Sequence, residues 1–334
     1  MERRKFIKNL TALGVGTGLT GFSGGISHTL AAGKNGDIPY RQLGTTGEKV
    51  SIVGIGGYHL GRPGERESIG IIRAAIDNGV NFMDNSWSYN EGESEFRMGK
   101  ALKDGYRQKV FLMTKVDGRT GKAATEQLHE SLRRLQVDSI DLLQFHEIIH
   151  ENDPERVFAP DGAYQAMVEA KKAGKIRYIG FTGHKSPAIH LKMLKSCIAH
   201  DFIPATVQMP LNVMDAHFDS FQKQVLPELL ERGIGVLAMK PMGDPHILES
   251  DTVTPMECLH YSMNLPVSVV ITGCDSMPIL EQALTAARTF RPLSQPEVAS
   301  LEAKTAQAAT AGKYELYKTS DPYDSTTHNP ERLG

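Results

Sequence analysis

The feature that most constrains this chain is a repeated alternation. From Ile52 onward, a short apolar run followed by an amphipathic stretch recurs eight times within roughly 240 residues. Runs that are apolar throughout, rather than alternating with polar residues, belong to strands covered on both faces. The spacing predicts strands over 50–56, 80–83, 110–114, 140–145, 176–181, 205–208, 234–238 and 267–271. Helical periodicity fills the gaps, near 67–78, 93–103, 122–135, 161–173, 186–199, 219–232, 255–264 and 279–289. In the first of these, Ile71, Ile72, Ala75 and Ile76 share one face. Eight such units fit a closed (β/α)8 TIM barrel better than an open doubly wound sheet, which pattern alone leaves as the alternative. A run over 38–43, joined to 50–56 by the turn Gly44-Thr45-Thr46-Gly47, reads as an N-terminal β-hairpin. The barrel is expected over 38–312. The tail over 313–334 is rich in Tyr, Asp, Ser, Thr and Pro and reads as irregular; it either lies over the barrel mouth or stays unstructured.

Composition adds a few exclusions. A chain of 334 residues, 40% hydrophobic, has the material for one large core. Its net charge is −2, but residues 1–32 carry Arg3, Arg4, Lys5 and Lys8 against Glu2, leaving an acidic body. That distribution argues against nucleic-acid partners. Cys197, Cys258 and Cys274 are widely spaced and odd in number, and match neither a metal site nor a disulfide framework.

The N-terminus reads as a targeting segment. Glu2-Arg-Arg-Lys-Phe-Ile-Lys8 resembles the twin-arginine export signal in its paired arginines, its Phe-Ile and its lysine. The stretch over 10–26 that follows is weakly apolar, six of its residues being Gly, and is too short for a stable membrane span. Residues 1–32 are therefore expected to be a signal peptide, with the twin-arginine machinery as partner and the periplasm as destination.

In a barrel, chemistry gathers at the C-terminal ends of the strands. There the second predicted strand ends in Asp84, with Tyr89 five residues on; the third ends in Lys115 and the fourth in His146. Hydride addition to a carbonyl creates an alkoxide that needs a proton, and a tyrosine can supply it. An ammonium beside the phenol is expected to lower its pKa, with Asp84 holding Lys115 in place and His146 orienting the carbonyl.

These residues and their surroundings resemble the aldo/keto reductase family. The likeness runs from Tyr40 to Ala287 and rests on Asn81-Phe-Met-Asp-Asn85, Tyr89, Gly92-Glu-Ser-Glu95, Met98-Gly-Lys-Ala-Leu102 and Thr114-Lys115. Asp141-Leu-Leu-Gln-Phe-His146, Gly174-Lys-Ile-Arg-Tyr-Ile-Gly180 and Ile271-Thr-Gly273 extend it. The resemblance implies NADP- or NAD-dependent interconversion of a small-molecule carbonyl and alcohol, with Asp84, Tyr89, Lys115 and His146 as the catalytic tetrad. It also implies cofactor contacts at Thr182, Gly183, Gln208, Met239, Lys240, Pro241, Gly273, Glu281 and Gln282.

Several of those positions depart from the family pattern. Thr182-Gly183 stands where Ser-Asn is common, Met239 where a stacking Tyr is common, and Ile279 near the usual arginine. The last leaves NADP against NAD undecided. Tyr58, His59, Trp87 and His184, near strand ends, are candidates to line a substrate site.

Three rival readings carry a motif or a gap in the pattern. Gly16-Thr-Gly18-Leu-Thr-Gly21 spells a dinucleotide fingerprint but lies inside the export segment with no strand before it. His146-Glu147-Ile-Ile-His150 spells the zinc-hydrolase motif H-E-x-x-H, which requires a helix so that both histidines share a face. The altered cofactor positions also leave room for a non-catalytic barrel that binds a nucleotide or a partner protein.

Overall fold

The computed structural model describes residues 37–334, so the export-signal segment lies outside the described residues. A two-stranded antiparallel hairpin, β1 (Tyr40–Gln42) and β2 (Lys49–Ser51), precedes eight parallel strands. These are β3 (Val53–Gly56), β4 (Phe82–Asp84), β5 (Phe111–Val116), β6 (Ile140–Phe145), β7 (Ile176–Thr182), β8 (Thr206–Pro210), β9 (Gly235–Met239) and β10 (Val269–Gly273). They form a closed barrel in sequence order, sealed by parallel pairing of β10 with β3 in the register Val270 to Val53. The open-sheet alternative is thereby excluded.

The run expected as one strand over 50–56 divides at Ile52. Ser51 Oγ donates to the Val53 carbonyl at 2.7 Å, and Ile52 N–H donates to Pro39 O at 2.8 Å. This local turn hands the chain from the hairpin to the barrel. The hairpin then plugs the lower end: Leu43 and Val50 join Phe82, Phe111, Met113, Leu142, Leu237, Val269 and Ile271 in one buried cluster inside the barrel. Gly44 lets the plug sit close, because a Cβ there would lie 2.4 Å from Gly235 N and the backbone holds φ +53. A larger apolar layer lies between the sheet and its helices.

The helices fall where the periodicity places them, with one exception. The segment near 219–232 is two short helices, Phe221–Gln224 and Leu226–Glu231, broken where Pro227 cannot donate a backbone N–H. Among the described residues, no helix is long and apolar enough to cross a membrane.

The tail contains the short helices Leu316–Thr319 and Ser325–His328 and packs over the upper end of the barrel. A buried ion cluster anchors it. Lys318 Nζ lies 2.7 Å from Asp215 Oδ1 and 2.9 Å from Glu315 Oε1, and donates to Phe218 O at 2.8 Å. Farther along, Lys185 Nζ bonds Asp324 Oδ2 at 2.6 Å, and the Arg119 N–H donates to Leu333 O at 2.8 Å. Composition made this segment look irregular because its structure comes from docking, not from its own periodicity.

Candidate active site

The upper end of the barrel opens into a cavity of about 680 Å³, within the range of small-molecule and cofactor sites. Asp84, Tyr89, Lys115 and His146 all line it. Asp84 closes β4, Lys115 lies within β5 one residue from its end, and His146 directly follows β6. Tyr89 reaches the same place from a tight turn. Asn90 and Glu91 hold φ +52 and +56, and Gly92 holds φ +92 where a Cβ would lie 2.4 Å from Arg134 Cζ. Arg134 fixes this turn, donating to Trp87 O at 2.7 Å.

Lys115 joins the group into a unit. Its ammonium pairs with Asp84 Oδ1 and donates to Asn85 O at 2.7 Å and to the Tyr89 hydroxyl at 3.1 Å. The electrostatics reverse one expectation. Burial first, then the charges of Asp84, Glu147 and Asp117, push the Tyr89 phenol well above its usual range rather than down. Burial also lowers the Lys115 ammonium, against the pull of Asp84. The phenol is therefore held as an acid, and the lysine's effect upon it is outweighed by desolvation and by three nearby carboxylates.

His146 has a partner the strand-end reading missed. Its Nδ1 lies 2.7 Å from Asp117 Oδ1, with Ser86 Oγ and Ser88 Oγ at 3.2 Å and 3.4 Å. Burial raises the Asp117 carboxyl, but the hydrogen bond and charge of His146, together with the charges of Arg119 and Arg332, more than offset this and hold it below the ordinary range. Donating Nδ1–H to Asp117 leaves the Nε2 edge for the cavity. Asp117 sits two residues past Lys115 in a stretch with no motif, so only the fold brings it to the histidine. The H-E-x-x-H segment is likewise a loop. Glu147 has φ +47 and His150 Nε2 lies 3.2 Å from Thr326 Oγ1, so the two histidines do not share a helical face.

The expected cofactor residues Thr182, Gly183, Gln208, Met239, Lys240, Pro241, Gly273 and Gln282 line the cavity. Glu281 does not; it is exposed, with a carboxylate oxygen 3.8 Å from Arg288, because its helix turns Gln282 and Ile279 inward instead. The fit to a nicotinamide group rests on Gln208. This side chain is buried, donates only a long 3.4 Å bond to Asp84, and its Oε1 has no hydrogen-bond partner among the described residues. An orphaned amide oxygen beside Thr182 and Met239 suits a carboxamide N–H. Gly183 is required by close packing, since a Cβ there would lie 2.4 Å from Ile148 O. Lys240, at φ +56, holds its ammonium 4.7 Å and 5.3 Å from the rings of Tyr323 and Tyr317, and burial lowers its pKa. Among the described residues it has no carboxylate within ion-pair distance.

Of the substrate candidates, Tyr58, His59 and His184 line the cavity. Tyr58 packs edge-on to Tyr89 at 5.5 Å, and His59 Nε2 lies 2.9 Å from Asp244. Trp87 is placed elsewhere. Its Nε1–H donates to Glu130 Oε2 at 2.7 Å and its ring lies between Arg134 and Arg332, so it braces the Tyr89 turn from outside. The tail contributes Tyr323, Ser325, His328 and Asn329 to the lining, which no motif in the sequence announced.

The Asp117 contact generates a prediction. Asp117→Asn removes the acceptor that fixes the imidazole, and carbonyl turnover should fall about 100-fold through kcat. An unchanged kcat in steady-state kinetics would remove Asp117 from the site.

Comparison with known proteins agrees with this geometry. A model of the aldo/keto reductase family matches residues 52–255. L-galactose dehydrogenase of Arabidopsis thaliana is 28% identical over 303 residues, covering 78% of this chain and 91% of that protein. Aldo-keto reductase AMT2 of Alternaria alternata is 32% identical over 183 residues, a match spanning 42% of this chain and about half (48%) of that protein's length. Among solved structures, the holo form of aldo-keto reductase AKR11C1 from Bacillus halodurans superposes with a TM-score of 0.68 at 25% identity, covering 83% of this chain and 99% of that one. With the barrel, the strand-end residues and a family match over most of the barrel all in agreement, the chain belongs to the aldo/keto reductase family of oxidoreductases.

Proposed function

We propose that this NAD(P)-dependent oxidoreductase interconverts a carbonyl and an alcohol at the Tyr89 hydroxyl. The observation that carries the reading is the Lys115 ammonium bonded at once to Asp84, Asn85 O and the phenol of Tyr89. When bound, a nicotinamide dinucleotide supplies the two-electron equivalent. Thr182 and Gln208 would hold its carboxamide, Met239 would pack against the ring, and Lys240 would be available to the pyrophosphate. The adenosine would lie along the part of the cavity wall that carries Asp275, Ile279 and Gln282. An acid there opposes a 2′-phosphate, which favours NAD(H).

During reduction, Tyr89 donates its proton to the carbonyl oxygen as negative charge develops there. His146 aligns that oxygen, and Lys115 stabilises the phenolate left behind. In oxidation the same phenolate takes the alcohol proton. Because the phenol pKa is raised, the acid form persists to high pH. Reductive kcat/KM should therefore show no Tyr89-linked loss between about pH 6 and about pH 9, whereas oxidation should rise with pH. Tyr89→Phe should lower kcat roughly 100- to 10,000-fold while dinucleotide still binds in a fluorescence titration. A variant that keeps wild-type kcat would refute the assignment.

Cellular placement is part of the same proposal. The Arg3-Arg4 pair supports export by the twin-arginine route to the periplasm, in a folded state. Replacing both arginines by lysine should retain the protein in the cytoplasmic fraction. Undiminished export of that double variant would contradict the route.

A further inference from the structure

The pairing of β5 with β6 ends at Val116 and Phe145, and the last backbone bond between them runs from His146 N–H to Val116 O at 2.9 Å. Asp117 and His146 are the next residue on each side. Their side chains meet at 2.7 Å, just past the point where the sheet sets the spacing of the two chains. Both segments are loop there, and Glu147 turns the second one away with φ +47, a left-handed conformation that its surroundings must impose. The contact that orients the imidazole therefore needs a support that the strands do not supply.

Arg119 stands at that junction. It is fully buried, and its Nη1 donates to Asp117 O at 2.6 Å while its Nη2 donates to the carbonyls of His146 and Glu147, each at 2.8 Å. One planar guanidinium thus ties the main chains of both members of the imidazole–carboxylate pair, one residue beyond the end of the ladder. Its own mount is specific. Nε donates to Asp153 Oδ1 at 2.8 Å, and Asp153 Oδ2 accepts the N–H groups of Ile149 and His150 at 2.9 Å, closing the same loop from its far side. The Arg119 main chain is also held, its N–H by Leu333 O and its carbonyl by Ala163 N–H, both at 2.8 Å. A buried ion pair is a costly way to stabilise a fold. Here the three carbonyl acceptors all lie in the loops after β5 and β6, and none belongs to a strand or a helix. Neither Arg119 nor Asp153 lines the cavity, so the pair acts on the site from behind.

We propose that Arg119 is a positioning residue for the reaction: by holding the backbones of Asp117 and His146 together, it keeps the imidazole Nδ1–H on Asp117 and the Nε2 edge turned to the carbonyl oxygen. The inference rests on the carbonyl–alcohol reading of the cavity and adds to it a residue that touches neither substrate nor dinucleotide. A guanidinium suits this task because its donors are fixed in one plane, whereas an ammonium is a compact charge on a flexible stem.

The test is a double-variant cycle. Arg119→Lys keeps the charge beside Asp153 but loses the planar fork, and should lower kcat for an accepted carbonyl compound about 10- to 100-fold with dinucleotide affinity unchanged. Asp117→Asn already releases the imidazole, so adding Arg119→Lys to it should cost no more than about a further twofold. Losses that multiply in the double variant overturn the proposal, because they place the effect of Arg119 outside the pair. Wild-type kcat in Arg119→Lys overturns it as well. If Arg119→Lys does not fold, Asp153→Asn, which disturbs the mount of the guanidinium, takes its place in the same cycle with the same two outcomes. The ring itself separates this inference from the reading beneath it. In protein with isotope-labelled histidine nitrogens, the NMR signal that His146→Gln removes should show Nδ1 protonated in wild type and a mixture of tautomers in the Arg119 or Asp153 variant. A ring signal untouched by the substitution overturns the proposal whether or not the protein turns over a substrate. Consumption of neither dinucleotide with any carbonyl or alcohol overturns the carbonyl–alcohol reading, and the ring signal then decides the hold of Arg119 on its own.

Discussion

The buried ammonium of Lys115 is the interaction on which the rest of the site depends. Removing a lysine and an aspartate from water costs several kcal/mol per ion, and their attraction repays this only with good geometry and further hydrogen bonds. The barrel meets those conditions by placing Asp84, Asn85 O and Tyr89 around one nitrogen from two adjacent strands and the turn beyond. Such a group makes a poor stabiliser of the fold but a rigid mount for a phenol. The same burial favours the protonated form of the Tyr89 phenol.

A further layer of side chains holds this centre in register. Asp117 fixes His146, while Arg119 bonds the backbone of His146 and Glu147 and is itself fixed by Asp153. The tail completes that layer. Thr326 bonds Glu147, Asp324 bonds His184, and Tyr317 and Tyr323 flank Lys240. The ion cluster around Lys318 seats the tail, and so forms part of how the site is walled even though it lies away from the reacting groups.

Much of the barrel was legible in the sequence, because strands buried on both faces leave uninterrupted apolar runs whatever their neighbours. The strand-end residues were legible for the same reason: once the strands are located, the fold rule says which side chains meet. The rest depends on contacts distant in sequence. Asp117 is two residues from Lys115, yet its role exists only because β5 and β6 are adjacent. Trp87 looked like a mouth residue by its closeness to a strand end, but Arg134 and Glu130 draw its ring outward. Glu281 and Gln282 are neighbours, and one residue of helical rotation separates solvent from cavity. The fall in the Tyr89 pKa expected from Lys115 was countered by burial, which no local pattern encodes.

Single-turnover oxidation of a reduced dinucleotide deuterated at the transferable position tests most directly whether these residues form a hydride-transfer site. With an accepted carbonyl substrate, the dinucleotide should be oxidised more slowly than its protiated form, and the deuterium should appear on the product carbon. Oxidation with no isotope effect, and product free of deuterium, would contradict direct transfer within this cavity.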